Sequence, residues 1–217
     1  MAYRTITTLL TDPKLNASSF AAAGKLAAST EAHLDVLCLG LDRTQPGFYY
    51  AGASAMVVQD NMAQAREDAV RLEKHAEEQL DGALYPWATT SLSAQMVALP
   101  GLVAHRTRFT DLVVLPQPYG EGRGHDLEAI TEAALFNGAV PVMIVPDGAE
   151  LPAKFERIVI AWNESAEALR AIRAALPFLK AADLVSIAII DPPQHGPERS
   201  DPGGALSQML ARHGVRA

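Results

Sequence analysis

Hydrophobic positions along the chain alternate between two periods. Short apolar runs recur at Ile6–Leu10, His33–Leu41 ("HLDVLCLGL"), "DLVVL" and "VPVMIVP", and Thr89–Leu99 ("TTSLSAQMVAL") alternates as a further strand. Between them lie segments whose apolar residues return every three or four positions, the mark of a helix with one covered face. The first of these, from about Asn16 to Thr30, sets Phe20, Ala23, Leu26 and Ala27 on one side. A long polar helix from about Val58 to Leu84 carries Met62, Ala65, Ala69, Leu72, Ala76 and Leu80 as a single stripe, with Glu73 and Glu77 read as solvated. Short helices are expected near Leu102–Phe109 and Leu127–Phe136. Strands separated by helical stretches imply an α/β fold: an open parallel five-stranded sheet with helices on both faces.

The pattern then starts again. "YRTITTLLTDPKLNASSFAAAGKLAASTEAHLDVLCLGLD" and "FERIVIAWNESAEALRAIRAALPFLKAADLVSIAIIDP" share one order: aromatic, charged residue, strand, polar turn, helix, polar junction, strand. This predicts a first domain over 1–147, a Pro/Gly-containing linker over 148–155 and a partial second copy over 156–217, offset by about 145 residues. The second copy lacks counterparts of the fourth and fifth strands, so a half sheet would expose an apolar edge and face. The expectation is a chain shortened relative to a two-domain parent, the alternative being a covering partner chain.

Composition narrows the function classes. The 217 residues are 49% hydrophobic and 20% charged, ordinary material for a packed core, with a formal net charge of −7. With no Lys/Arg cluster, a nucleic-acid or anionic-membrane surface is not expected. One cysteine, Cys38, reads as a small hydrophobe inside the second strand, and the chain suits a reducing compartment. The opening "MAYRTITTLL" is too short for a signal peptide, and no stretch approaches the roughly 20 apolar residues of a membrane span. A cytoplasmic location is expected.

No Walker-type Gly-x-x-x-x-Gly-Lys-Ser/Thr, no dinucleotide Gly-x-Gly-x-x-Gly after the first strand and no Gly-x-Ser-x-Gly elbow occurs. "SAQMVALPG" lacks the acceptor aspartate of a receiver domain. The scattered histidines show no metal-ligand spacing, so neither a metal site nor a catalytic residue is assigned. Asp12 ends the first strand, beside the point where open α/β sheets bind ligands. It reads either as an acceptor for adenine or ribose or as a cap on the turn before the helix. The tyrosines of "GFYYAGA" read either as a lid over a base or as loop packing, and Trp87 and Trp162 as buried strand residues.

The doubled domain, with Asp or Asn after strand one, a nearby serine and a Pro/Val-rich last strand, resembles a tandem universal stress protein. That family shares the adenine nucleotide alpha hydrolase-like, Rossmann-like fold. "IVIAWNESAEALRAI" is similar to its strand-one motif Val-Ala-[Trp/Tyr/Val]-Asp-Gly-Ser, with Asn163 and Ser165 at the aspartate and serine positions. "TTLLTDPKLNASSF" matches more loosely, with Asp12 at the aspartate. The resemblance implies an adenine nucleotide, ATP, held by Asp12, the backbone near Leu39 and Leu41, and the loop glycines Gly120, Gly122 and Gly124. It also implies a homodimer, or pairing between domains, through the last strand at Val140, Val142 and Ile144.

Members that bind ATP carry Gly-x-x-Gly, a spacer, then Gly-Ser or Gly-Thr. Here the glycine spacing departs, and Glu128 and Ala129 stand at the Gly-Ser positions. Asp126 and Glu128 place carboxylates where a triphosphate needs donors. The reading is therefore a non-catalytic stress-response binding or regulatory module with a degenerate nucleotide site, the alternative an ATP sensor or weak ATPase. A third reading, an adenylating enzyme of related fold, needs a glycine-rich loop after strand one that "TDPKLNAS" does not offer.

Overall fold

The computed structural model describes residues 3–42, 55–190 and 201–217. They form two compact units, Tyr3–Leu151 and Pro152–Ala217. The tyrosine loop of "GFYYAGA" lies outside the described residues.

In the first unit the elements run β1 (Thr5–Leu10), α1 (Ala17–Thr30), β2 (His33–Asp42), α2 (Ala55–Leu80), β3 (Trp87–Gln95), α3 (Leu99–Thr107), β4 (Leu112–Pro116), α4 (His125–Glu132) and β5 (Val142–Val145). A π-helical turn, Ala133–Asn137, extends α4. The sheet is parallel with order β3-β2-β1-β4-β5. Each of the first four strands is followed by a crossover helix, as the alternation of periods predicts.

β1 is the central strand, and Ile6 through Leu10 are all buried. Its polar residues are satisfied internally. Thr8 donates from Oγ1 to the carbonyl of Val114 on β4 at 2.8 Å, and Thr7 shares a 2.5 Å hydroxyl contact with Thr110. At the strand's start Asp111 Oδ2 accepts the N–H groups of Arg4 and Thr5 at 2.7 and 3.0 Å. β1 is thereby fixed to the β4 side before it enters the core.

The pleat sends alternate residues to opposite faces. On one face Leu9, Leu37, Leu39, Val113 and Leu115 pack with Leu99 and Val103 of α3 and Ile130, Ala133 and Ala134 of the α4 region. The other face meets α2, whose Ala65, Ala69, Leu72, Ala76 and Leu80 are buried, while Met62 is half-buried. Gly40 sets the closeness of that contact: a Cβ there would lie 1.6 Å from the carbonyl oxygen of Ala65. Cys38 shares this face and is fully buried.

Several boundaries differ from the sequence expectation. α2 ends at Leu80, because Gly82 turns the chain at φ +78°, so Leu84 falls outside the helix. β3 begins at Trp87 and ends at Gln95, and Leu99 already starts α3. Trp87 is half-buried, as an edge-strand residue is. Val140 precedes β5: it is buried, and its N–H bonds the Ala134 carbonyl at 3.2 Å, which fastens it to the π-helical turn. Glu73 and Glu77 are not simply solvated. Glu73 Oε1 accepts the N–H of Ser91 at 3.0 Å and Glu77 Oε1 the hydroxyl of Thr89 at 3.2 Å. The Glu73 bond occupies a backbone donor of the edge strand β3 that would otherwise invite another strand, and the Glu77 bond holds a side chain of the same strand.

The second unit contains β6 (Arg157–Ala161), α5 (Ala166–Ala181), β7 (Leu184–Ala188) and α6 (Gly204–Arg212), with β6 and β7 parallel. Ile160, Ile172, Leu179, Val185, Leu206 and Leu210 make its core. Its backbone follows the first unit bond for bond at two places. His33 N–H reaches the Arg4 carbonyl at 2.8 Å and Leu184 N–H the Glu156 carbonyl at 3.1 Å. Leu34 N–H then bonds the Pro86 carbonyl, just before β3, and Val185 N–H bonds the Arg216 carbonyl, both at 2.9 Å. Trp162 lies past the end of β6, half-buried, donating from Nε1 to the Pro202 carbonyl at 3.0 Å. It is thus not a buried strand residue.

Two outcomes follow from this packing. Gly40→Ala should destabilise the chain by about 3 kcal/mol or more, since backbone rather than a movable side chain blocks the added methyl; an unchanged urea midpoint would refute this. Burial, followed by the charges of Glu73 and Glu77, pushes the Cys38 thiol up to about 12 from an ordinary 9.0. The folded chain keeps this proton where the unfolded chain releases it, so this contribution to stability falls as pH rises above 9.0 toward 12. Maleimide should label Cys38 at pH 9 only after denaturation.

Candidate functional site

The sheet order reverses between β1 and β4, so the chain leaves these neighbouring strands toward opposite faces and opens a crevice at their carboxyl ends. Asp12 follows β1 there, the glycine loop follows β4, and Leu39–Asp42 of β2 run past Cys38, the last residue of β2 paired with β1. The topology brings Asp12, Leu39, Leu41, Gly120, Gly122 and Gly124 to one end of the sheet. The Leu39 side chain is buried in the core, and Leu41, partly buried, packs against it.

The turn after β1 is held by Asn16, which sequence reasoning passed over. It is 1% exposed, and its Oδ1 accepts the N–H groups of Thr11 and Asp12 at 2.9 and 3.0 Å. Its Nδ2 donates to the Leu9 carbonyl at 3.0 Å. Asp12 Oδ1 in turn accepts the N–H groups of Lys14 and Leu15 at 2.8 and 2.9 Å, the turn-capping role. Oδ2 takes no bond from the described residues.

The β4–α4 loop needs its glycines for shape. Gly120 and Gly122 have φ of +136° and +74°, conformations that other residues rarely adopt. Gly124 is the N-cap of α4, extended at φ −89°, ψ 164°. A Cβ on Gly124 would meet Asp126 Oδ1 at 2.3 Å, so this carboxylate lies against the start of the helix. Asp126 is buried, and Glu128 follows in the first turn, 3.5 Å from His125 Nδ1. Asp42, also buried, ends β2. Its place at a strand's carboxyl end was a readable signal, missed because the preceding run is so apolar. Asp12, Asp42 and Asp126 therefore stand at the end of the sheet where a phosphate would need donors. Arg123 is the cation of the loop, ion-paired with Asp147.

In the second unit Asn163 Oδ1 accepts the Ser165 N–H at 3.1 Å across Glu164, which takes φ +62°. Ser165 caps α5, its Oγ accepting the Ala168 N–H at 3.1 Å. Asn163 thus closes its turn as Asp12 does.

A cavity of about 580 Å³ lies elsewhere in the first unit, between α1 and the carboxyl end of α2, lined by Phe20, Gly24, Lys25, His75, Gln79 and Tyr85. It includes no residue of the glycine loop, and we place the site at the switch point on topology and chemistry instead. Among the described residues there is no group of His, Cys, Asp and Glu fit to hold a metal, and no helix long and apolar enough to cross a membrane.

No family model and no curated protein sequence matches the chain. Solved structures do. A universal stress protein from Archaeoglobus fulgidus superposes with a TM-score of 0.70 at 12% identity, over 100% of this chain and 75% of that one. Universal stress protein UspA from Lactobacillus plantarum superposes with a TM-score of 0.51 at 13% identity, over 67% of this chain and 99% of that one. The chain shares the universal stress protein fold.

The turn yields a direct test. Asn16→Ala strips partners from three backbone groups at a buried position and should cost about 3 kcal/mol in chemical denaturation. Asp12→Ala, on a half-exposed turn, should cost about 1 kcal/mol. Equal costs would show that Asn16 is not the anchor.

Proposed function

We propose that the chain is a tandem universal stress protein whose second unit is a partial copy of the first. It acts in the cytoplasm as a non-catalytic binding or regulatory module, and the nucleotide site of its first unit is degenerate. The observation that carries this reading is the buried Asp126 carboxylate against Gly124 at the start of α4. A helix N-terminus favours an anion, and one already provided by the chain leaves a triphosphate to be repelled. Glu128 adds a second charge in the same turn. The matching bonds of His33 with Leu184 and of Leu34 with Val185 support the tandem reading.

Pairing with another chain, or between domains, is assigned to β5. It is an edge strand of the sheet, with Val142 half-buried and Ile144 exposed.

Calorimetric titration of ATP tests the degenerate site. The wild-type chain should give no saturable heat at micromolar ATP. The double variant Glu128→Gly, Ala129→Ser, which restores the family's glycine and hydroxyl, should bind at least about tenfold more tightly, near 1.4 kcal/mol. Micromolar wild-type affinity abolished by Asp12→Ala would instead establish a nucleotide sensor.

A further inference from the structure

The cavity of about 580 Å³ between α1 and the carboxyl end of α2 contains none of the residues assigned to the switch-point crevice. Its size falls within the roughly 300–1,000 Å³ of small-molecule sites, and like them it combines an apolar body with a few polar groups. Ala21, Gly24 and Ala28 line it from successive turns of α1 with Phe20 beside them, and Leu80 of α2 adds apolar surface across from them. A glycine inside a helix weakens it relative to alanine. Here a Cβ on Gly24 would stand 2.6 Å from the Tyr85 hydroxyl oxygen, so the missing side chain lets the phenol lie against α1.

Tyr85 is half-buried, and burial holds its phenol above the ordinary pKa, which keeps it a protonated donor. The Tyr85 hydroxyl, the His75 imidazole and the Gln79 amide all belong to the lining, and none takes a hydrogen bond or ion pair from the described residues. His75 and Gln79 are one helical turn apart and share a face of α2. Lys25, the one Lys, Arg, Asp or Glu of the lining, is paired with Glu150 at 3.6 Å.

We propose that this cavity is a second binding site, for an uncharged aromatic molecule bearing a carbonyl group. Phe20 and Tyr85 offer aromatic surface to the body of the ligand, and the small residues of α1 leave room for it. The carbonyl oxygen accepts from the Tyr85 hydroxyl and the Gln79 amide, the donors that the chain itself leaves unused. An anion would have to take Lys25 from Glu150 and enter a largely apolar space, so the site favours a neutral ligand. The proposal is independent of the nucleotide reading of the crevice.

Coumarin, an uncharged aromatic lactone, is the probe, titrated into the full isotope-labelled chain and followed by amide NMR, with coumarin-3-carboxylate as its anionic counterpart. Coumarin should bind saturably with a Kd at or below about 1 mM and shift the amides of Ala21, Gly24, Gln79 and Tyr85. The carboxylate should bind at least about fivefold more weakly. Ala21 is exposed and the Tyr85 hydroxyl bonds no described residue, so Ala21→Phe and Tyr85→Phe keep the fold, which their urea midpoints check. Ala21→Phe fills the cavity and should abolish binding. Tyr85→Phe removes one hydrogen bond to the ligand and should weaken binding about fivefold. Absence of saturable binding, or shifts confined to the Asp12 turn and the glycine loop, would overturn the proposal, as would unchanged affinity in either folded variant. Equal or tighter binding of the carboxylate would overturn the neutral ligand class. None of these results bears on ATP at the crevice.

Discussion

Everything at the candidate site depends on where β1 stops. The strand is buried on both faces and ends abruptly because Asn16 takes the Thr11 and Asp12 N–H groups and returns a bond to the Leu9 carbonyl. Asn16 lets the backbone leave the sheet with its polar groups satisfied, at a depth where unsatisfied groups would be costly. Asp12 is then presented on a turn whose shape it stabilises itself. The site's first wall is therefore a by-product of terminating a buried strand.

The second wall is built from charge. Glycines shape the β4–α4 loop as an anion cradle requires, yet Asp126 occupies the helix start and Arg123 is drawn into a pair with Asp147. Geometry and electrostatics disagree here. Two positive-φ glycines sit in the loop that leads to carboxylates in the first turn of α4, and those carboxylates disfavour a polyphosphate there.

The order of elements was legible because a parallel sheet buried on both faces forces apolar runs, and crossover helices force the 3.6-residue period between them. The α2 stripe at Ala65, Ala69, Leu72, Ala76 and Leu80 is the clearest instance, and Cys38 is the small core residue it was read to be. Ends were less legible. Leu84 and Leu99 continue an apolar pattern past the points where Gly82 and the turn after Gln95 end their elements. Val140 reads as strand by composition, but the π-helical turn claims its N–H. Glu73 and Glu77 look solvated on a helical wheel, which carries no information about an edge strand lying beside the helix. Asn16 and Asp147 were invisible for the same reason: their roles are set by partners that only the folded chain brings near.

The central claim is that this crevice keeps the form of a nucleotide site while excluding ATP. Mass spectrometry of the small molecules released when freshly purified protein is denatured tests it without presupposing a ligand. The account predicts no ATP above trace amounts. Recovery of ATP at close to one molecule per chain would contradict it, and would mean that the carboxylates of Asp126 and Glu128 are tolerated at a phosphate site after all.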